Sequence, residues 1–152
     1  MKYFLFTLIF TVCCLQIVGQ NPYQNEWIDH DLTYYKFESE QTAIHRISFE
    51  TLSSLGISLK GDRFQLFAAG KQIPIYVTTN STFGEGDFIA FYGSKNDGEL
   101  DVFLYTEPAH QPNPNYSLFG NKRAYFLTSV AEGEHLRIQS TPNDFSGNLP
   151  PV

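Results

Sequence analysis

Residues 64–92 read FQLFAAGKQIPIYVTTNSTFGEGDFIAFY, and this stretch decides the fold class. It contains three short runs of aromatic and β-branched residues, separated by segments with glycine, asparagine or aspartate. Such runs fit a pleated, half-buried surface, whereas the separating residues favour turns. The stretch therefore predicts strands at 64–67, 73–79 and 88–92, and we expect the last to be buried on both faces. Pro74 cannot donate a ladder hydrogen bond, so the strand 73–79 should lie at an edge or be bulged.

The same patterns continue on both sides of this stretch. Further strands are predicted at 33–37, 42–48 and 102–105, and a final hairpin pairs 125–130 with 135–139. Residues 49–55 differ, because Phe49, Leu52 and Leu55 recur every three residues before Gly56, which predicts a short helix. About eight short strands predict an all-β fold, an antiparallel β-sandwich or jelly-roll-like domain with one short helix. The expected core residues are Tyr35, Phe37, Phe64, Phe67, Phe88, Phe91 and Phe126.

The composition excludes two broad classes of protein. Aromatic residues make up 16% of the 152 residues and charged residues only 17%, which is the opposite of a disordered chain. The formal net charge is -6, and no basic stripe is present that could neutralise phosphates. We therefore expect a folded domain that does not bind nucleic acid.

The first residues predict an export signal. Lys2 is followed by an almost wholly apolar run at 3–18, the layout of a secretory signal peptide. Gln16 interrupts the run, which is shorter than the roughly 20 residues of a spanning helix. We therefore favour a signal peptide, and a retained membrane anchor is the alternative. We divide the chain into a signal peptide at 1–19, a β-sandwich domain at 20–140, and a proline-rich linker or truncated end at 141–152. The mature chain should have no membrane span.

Few residues suggest a catalytic or metal-binding site. Cys13 and Cys14 both lie in the signal peptide, so the mature chain would have no disulfide and no cysteine nucleophile. The four histidines lack the spacing of a helical metal site, and no serine elbow or phosphate loop occurs. We expect no catalytic residue and no cofactor.

Two groups of residues are candidates for binding. The acidic residues that bracket the strand 88–92 are favoured as Asp-Gly turns between strands, and calcium binding is the alternative. These calcium candidates are Asp87, Asp97 and Asp101. Exposed aromatic rings could instead bind glycans. The main candidates are Trp27 and Tyr116, and Tyr23 and Tyr125 are further candidates.

A set of short blocks, in order along the chain, resembles a known family. The blocks are NEWID (25–29), TYYK (33–36), FQLF (64–67), GKQIPIYV (70–77), GDFIAFYG (86–93), NDGELD (96–101) and NPNYSLF (113–119). From residue 25 to about residue 127, the chain resembles the start of gingipain-related cysteine peptidases. The resemblance is closest to the PorU-type sortases of bacterial type IX secretion.

The resemblance implies an exported protein at the bacterial cell surface, either associated with the outer membrane or extracellular. Such proteins have a β-rich amino-terminal domain and, much later, a caspase-like peptidase domain with a Cys-His dyad. The sortases remove carboxy-terminal sorting signals from cargo and attach the cargo to a surface glycolipid. This chain departs from the pattern, because it ends at Val152 and has no cysteine after the signal peptide. No catalytic residue carries over.

Two functions follow as expectations. The first is a non-catalytic amino-terminal β-domain, a fragment of a longer peptidase or sortase. It would pack against the downstream peptidase domain or another envelope protein, or position substrate for that domain. The alternative is a stand-alone module that binds surface glycans or mediates adhesion.

Overall fold

The predicted fold class is confirmed. A computed structural model describes residues 25–141 and contains two antiparallel sheets with one short α-helix, an all-β sandwich. The predicted signal peptide at 1–19 and nearly all of the predicted linker at 141–152 lie outside the described residues.

The strands divide between the two sheets. In spatial order, the first sheet contains β1 (Tyr35–Ser39), β7 (Arg123–Ser129), β3 (Phe64–Ala68) and β4 (Lys71–Ile73). The second sheet contains β2 (Ala43–Ser48), β6 (Phe88–Gly93) and β5 (Tyr76–Val77). The helix α1 spans Phe49–Ser54, and short 3-10 helices span Asn25–Trp27, Gly61–Arg63, Glu99–Leu104 and Pro108–His110. Among residues 25–141, no helix is long and apolar enough to cross a membrane.

The predicted strand at 73–79 lies at sheet edges, as its proline requires. β4 ends at Ile73 and β5 begins at Tyr76, so the chain changes sheets at Pro74 and Ile75. Both strands are the last of their sheets, which confirms the edge position but divides one predicted strand into two. The missing N–H of Pro74 explains why the ladder stops there.

The predicted helix is confirmed almost to the residue. It spans Phe49–Ser54, and the Ser48 side chain accepts a hydrogen bond from the backbone N–H of Thr51. A serine at this position satisfies a donor that the first turn leaves unpaired. The helix buries Leu52 completely, whereas Leu55, which shares the three-residue spacing, is 42% exposed.

The core lies between the two sheets and contains two of the seven expected aromatic residues, Phe64 and Phe91. Tyr35 and Phe37 pack against it from its margin, whereas Phe67 is buried on the outer face of its sheet, beneath Trp27. Phe88 and Phe126 were wrongly expected in it, because each alternates with core residues and points to the outer face of its sheet. The fully buried large side chains are Tyr125, Phe64, Phe91, Leu52, Leu66, Ile75, Ile89 and Leu127.

The strand buried on both faces is β3, not β6. In β6, Ile89 and Phe91 face the core, but Tyr92 is 62% exposed, so the expectation for 88–92 was wrong. All residues of β3 are buried, because Trp27 stacks on the outer side of Phe67 with ring centroids 4.9 Å apart. Residues far away in the chain therefore cover β3, and nothing in the strand itself indicates such a cover.

The last strand predicted before the proline-rich loop has a different structure. The strand predicted at 102–105 is part of the 3-10 helix Glu99–Leu104. Gly98 has a φ of 83°, and the Asp97 side chain accepts a hydrogen bond from the backbone N–H of Glu99, so the chain turns instead of extending.

The predicted final hairpin is absent from the described residues. Its first strand is β7, but β7 lies between β1 and β3, so neither of its edges is free to pair with 135–139. Instead, Arg137 makes an isolated parallel bridge with Ile75. The Arg137 guanidinium also donates hydrogen bonds to the carbonyl oxygens of Gly61, Asp62 and Phe64, at 3.0 to 3.1 Å.

Candidate functional site

The long connection from β6 to β7 exposes large apolar side chains. We call five of these residues the apolar loop surface. They are Phe103, Leu104, Tyr116, Leu118 and Phe119, and their exposed fractions run from 50% to 79%. Where exposed apolar groups form a contiguous patch, they commonly mark a contact with another molecule.

A buried carboxylate joins the two ends of this connection. Asp101 is only 5% exposed and lies in the 3-10 helix Glu99–Leu104. Its Oδ2 accepts a hydrogen bond from the backbone N–H of Leu118 at 2.7 Å, and its Oδ1 accepts one from the Ser117 hydroxyl at 3.2 Å. Both ends of the apolar loop surface are therefore tied to one anchor.

Close backbone approach fixes the connection at a second point. A Cβ at Gly98 would lie 2.7 Å from the carbonyl oxygen of Tyr116, so only glycine fits there. The Gln111 side chain donates a hydrogen bond to the Gly98 carbonyl at 3.3 Å, and Lys95 Nζ lies 4.1 Å from the centroid of the Tyr116 ring. These contacts give the segment a specific shape, although it contains no strand.

Asp101→Asn should loosen the apolar loop surface without unfolding the domain. The substitution replaces an ionised acceptor with a neutral amide, and a hydrogen bond to a charged group contributes about 1.5–3 kcal/mol. We expect hydrogen exchange at the Leu118 amide to become about tenfold to a hundredfold faster, whereas amides of β6 and β7 keep their rates. Amide exchange followed by NMR measures both.

Glu107→Gln is the matched control, because Glu107 is a well-exposed carboxylate on the same segment. It should leave the Leu118 exchange rate unchanged. If Asp101→Asn also left that rate unchanged, Asp101 would not be the anchor.

The three calcium candidates each have different partners. Asp87 accepts hydrogen bonds from the Gly84 N–H and the Thr78 hydroxyl, both at 2.8 Å, and these bonds hold the pKa of its carboxyl below the usual value. Asp97 pairs with Arg123 at 2.6 Å, and Asp101 is the anchor described above. Within residues 25–141, no three acidic, histidine or cysteine side chains come together as a metal ion would require. Calcium binding stays a prediction.

A second feature is a cleft of about 490 Å³ beside the first sheet, which we call the aromatic cleft. Trp27, Tyr34 and Phe126 contribute its aromatic side chains, and the ring centroids of Trp27 and Phe126 lie 5.3 Å apart. Trp27 is held by Phe67 against one face and by the ring of Tyr34 at its edge. The other lining residues are Asn25, Ile28, Tyr34, Ala69, Gly70, Asn96, Glu99, Leu100, Lys122, Arg123 and Ala124.

An ion-pair network borders the aromatic cleft. Arg123 is only 12% exposed and pairs with Asp97 at 2.6 Å and with Glu99 at 3.2 Å, while Lys71 pairs with Glu99 at 3.0 Å. Partial burial raises the pKa of Glu99, but the hydrogen bonds and charges of Lys71 and Arg123 outweigh it and leave the pKa below its ordinary value. Glu99 is therefore ionised at neutral pH and accepts hydrogen bonds.

The structure separates the predicted glycan-binding residues. Trp27 lines the aromatic cleft, whereas Tyr116 belongs to the apolar loop surface, so these two do not form one site. Tyr125 was wrongly grouped with exposed rings, because it is 1% exposed and its hydroxyl bonds the backbone of Ser94. Tyr23 lies outside the described residues.

Sequence reasoning missed Phe126 and Arg123 as parts of a site. Strand alternation could have found Phe126, since Tyr125 and Leu127 point into the core on either side of it. Nothing in the sequence indicated that Arg123 would meet Asp97 and Glu99. Comparisons with known proteins found no matching family model, no similar curated protein and no similar solved structure.

Proposed function

We propose that this chain is a non-catalytic, exported β-domain of a gingipain-like cysteine peptidase or type IX secretion sortase. It packs against a partner protein at the cell surface, and the favoured partner is a downstream peptidase domain. The observation that carries the proposal is the apolar loop surface, where Leu118 and Phe119 are 67% and 79% exposed. Covering these side chains removes apolar area from water, which is the main driving force of protein association.

The shape of the apolar loop surface supports a contact role. The Asp101 and Gly98 contacts hold its backbone in place, so a partner meets a surface that is already ordered. Ordering a flexible loop on binding would cost free energy, and a preformed surface avoids that cost. The two blocks of family resemblance at 96–101 and 113–119 contain these anchors and the most exposed side chains.

The size of the native product tests the peptidase part of the proposal. An antibody against residues 21–150 should detect an envelope product far larger than the 17.3 kDa of this chain. Mass spectrometry of that band should identify a peptidase domain in the same polypeptide. A native product no larger than this chain, with no larger precursor, would exclude the downstream domain as partner.

Photo-cross-linking tests the contact surface. A photoreactive phenylalanine analogue at position 119 of the native protein should cross-link to identified peptides of the peptidase domain. The same analogue at position 81, a well-exposed loop residue on a different part of the fold, is the control. Equal cross-linking from both positions, or none from position 119, would contradict a contact through the apolar loop surface.

A further inference from the structure

We propose that the aromatic cleft binds a sugar, specifically a neutral hexose or N-acetylhexosamine unit of an oligosaccharide. This site is distinct from the apolar loop surface and does not depend on the proposed function. Its volume of about 490 Å³ lies within the usual range for small-molecule sites. The class of ligand follows from three properties of the lining.

The first property is the aromatic wall. Trp27 and Phe126 are in contact in the cleft, with ring planes tilted by 48°, and Leu100 and Ile28 extend the apolar lining. A sugar ring has an apolar face of C–H groups, which packs on aromatic rings that are apolar in the same way. Because Phe67 supports Trp27 from behind, the Trp27 ring is held in place before a ligand arrives.

The second property is the mixture of donors and acceptors at the border. Arg123 and Lys122 are donors, Glu99 is an ionised acceptor, and the amides of Asn25 and Asn96 can do both. Each hydroxyl of a sugar also donates and accepts. Lys122, Arg123 and Glu99 already pair with charged side chains. An apolar ligand would still displace water from the Asn25 and Asn96 amides without giving them a new partner, which costs free energy.

The third property is the balance of charge. The cations Lys71, Lys122 and Arg123 are each paired with a carboxylate, from Glu99, Glu40 and Asp97. An anionic ligand would compete with these carboxylates for the same donors. Of these residues, Glu99, Lys122 and Arg123 line the cleft, and the other three lie outside its lining. Because the cations are already paired, the cleft favours a neutral ligand over a phosphate or an acidic sugar.

The single tryptophan makes the proposal easy to test. Trp27 is the only tryptophan of the sequence, so intrinsic tryptophan fluorescence reports on this one ring, which lines the aromatic cleft and also a second, neighbouring cleft beside Gln65. The probes are maltotriose, cellotriose, mannotriose and N,N′,N″-triacetylchitotriose, each titrated to about 10 mM, which covers dissociation constants near 1 mM. At least one should change Trp27 emission with saturation. No response to any of them would overturn the proposal.

Variants of the lining locate the response in the cleft. Phe126→Leu keeps an apolar residue but removes the ring, and Asn25→Ala removes one polar contact. Each should weaken binding of the responding trisaccharide, Asn25→Ala by about two- to tenfold, as expected for one hydrogen bond. A thermal melt confirms that each variant is folded. Unchanged affinity in both folded variants would place the sugar elsewhere and overturn the proposal.

Two controls separate this site from other possibilities. Phe119→Leu alters an aromatic residue of the apolar loop surface and should leave sugar affinity unchanged, whereas Phe126→Leu should leave cross-linking from position 119 unchanged. The two proposals can therefore fail independently. Trigalacturonic acid tests the charge argument, because this anionic trisaccharide should bind more weakly than the neutral probe. Tighter binding of the anionic probe would overturn the assignment to a neutral sugar.

The same sugar unit could belong to a free oligosaccharide or to an anchored glycan chain. The responding trisaccharide is therefore compared free in solution and coupled through its reducing end to beads. Retention on the beads supports an anchored chain, and binding of the free form alone supports a soluble oligosaccharide.

Discussion

Phe91→Ala is expected to lower the free energy of unfolding by about 3–5 kcal/mol, the range for removing a buried aromatic side chain. Phe91 is fully buried in β6 and contacts the rings of Phe37 and Tyr125 from the opposite sheet, with centroids 5.7 and 5.1 Å apart. Alanine would leave a cavity between the sheets, because the rigid strands on both sides cannot close it. Urea denaturation of the folded domain measures the change.

Tyr92→Ala is the control for this prediction. Tyr92 is the next residue of the same strand, is similar in size and is 62% exposed on the outer face. Its replacement should change the free energy of unfolding by no more than about 0.5 kcal/mol. A loss below about 1 kcal/mol for Phe91→Ala would mean that β6 does not form the centre of the sandwich.

Arg137→Met should lower the free energy of unfolding by about 2–3 kcal/mol, because several carbonyl groups lose a charged donor. The Arg137 guanidinium donates to the carbonyl oxygens of Gly61, Asp62 and Phe64, which lie just before and at the start of β3. Partial burial lowers the pKa of Arg137, although Asp62 opposes this effect. Methionine keeps much of the length of the side chain but leaves these acceptors unpaired.

Two measurements test the role of Arg137. Arg46→Met is the matched control, since the Arg46 guanidinium lies 3.5 Å from the Phe88 ring centroid on the exposed face of β2. This contact should contribute no more than about 1 kcal/mol. Arg137→Met should also speed hydrogen exchange at the Ile138 amide, which donates to Ile75. Equal stability losses in the two variants, with unchanged exchange at Ile138, would show that Arg137 does not hold the segment.

Local chemistry explains the parts of the fold that the sequence predicts correctly. The aromatic runs at 64–67 and 88–92 form strands because their side chains fit a pleated surface. The helix Phe49–Ser54 begins after Ser48 because a serine can cap its first turn. Pro74 limits its strand to a sheet edge because it has no N–H to donate. Each of these outcomes depends on a residue and its immediate neighbours.

The tertiary structure alone decides which strands pair and which faces are covered. β7 lies between β1 and β3, so the segment 135–139 finds no free edge and is held by Arg137 instead. The outer side of β3 is buried by Trp27, which is distant in sequence.

The candidate sites also depend on the tertiary structure. By itself, the sequence determined an all-β domain with aromatic strands and singled out Trp27, Tyr116 and Asp101 as residues of interest. The aromatic cleft required Trp27, Glu99 and Phe126 to meet from three distant segments, and the apolar loop surface required Asp101 to reach Leu118. Only the tertiary structure decided these contacts, because they depend on the positions of whole strands and not on any local sequence preference.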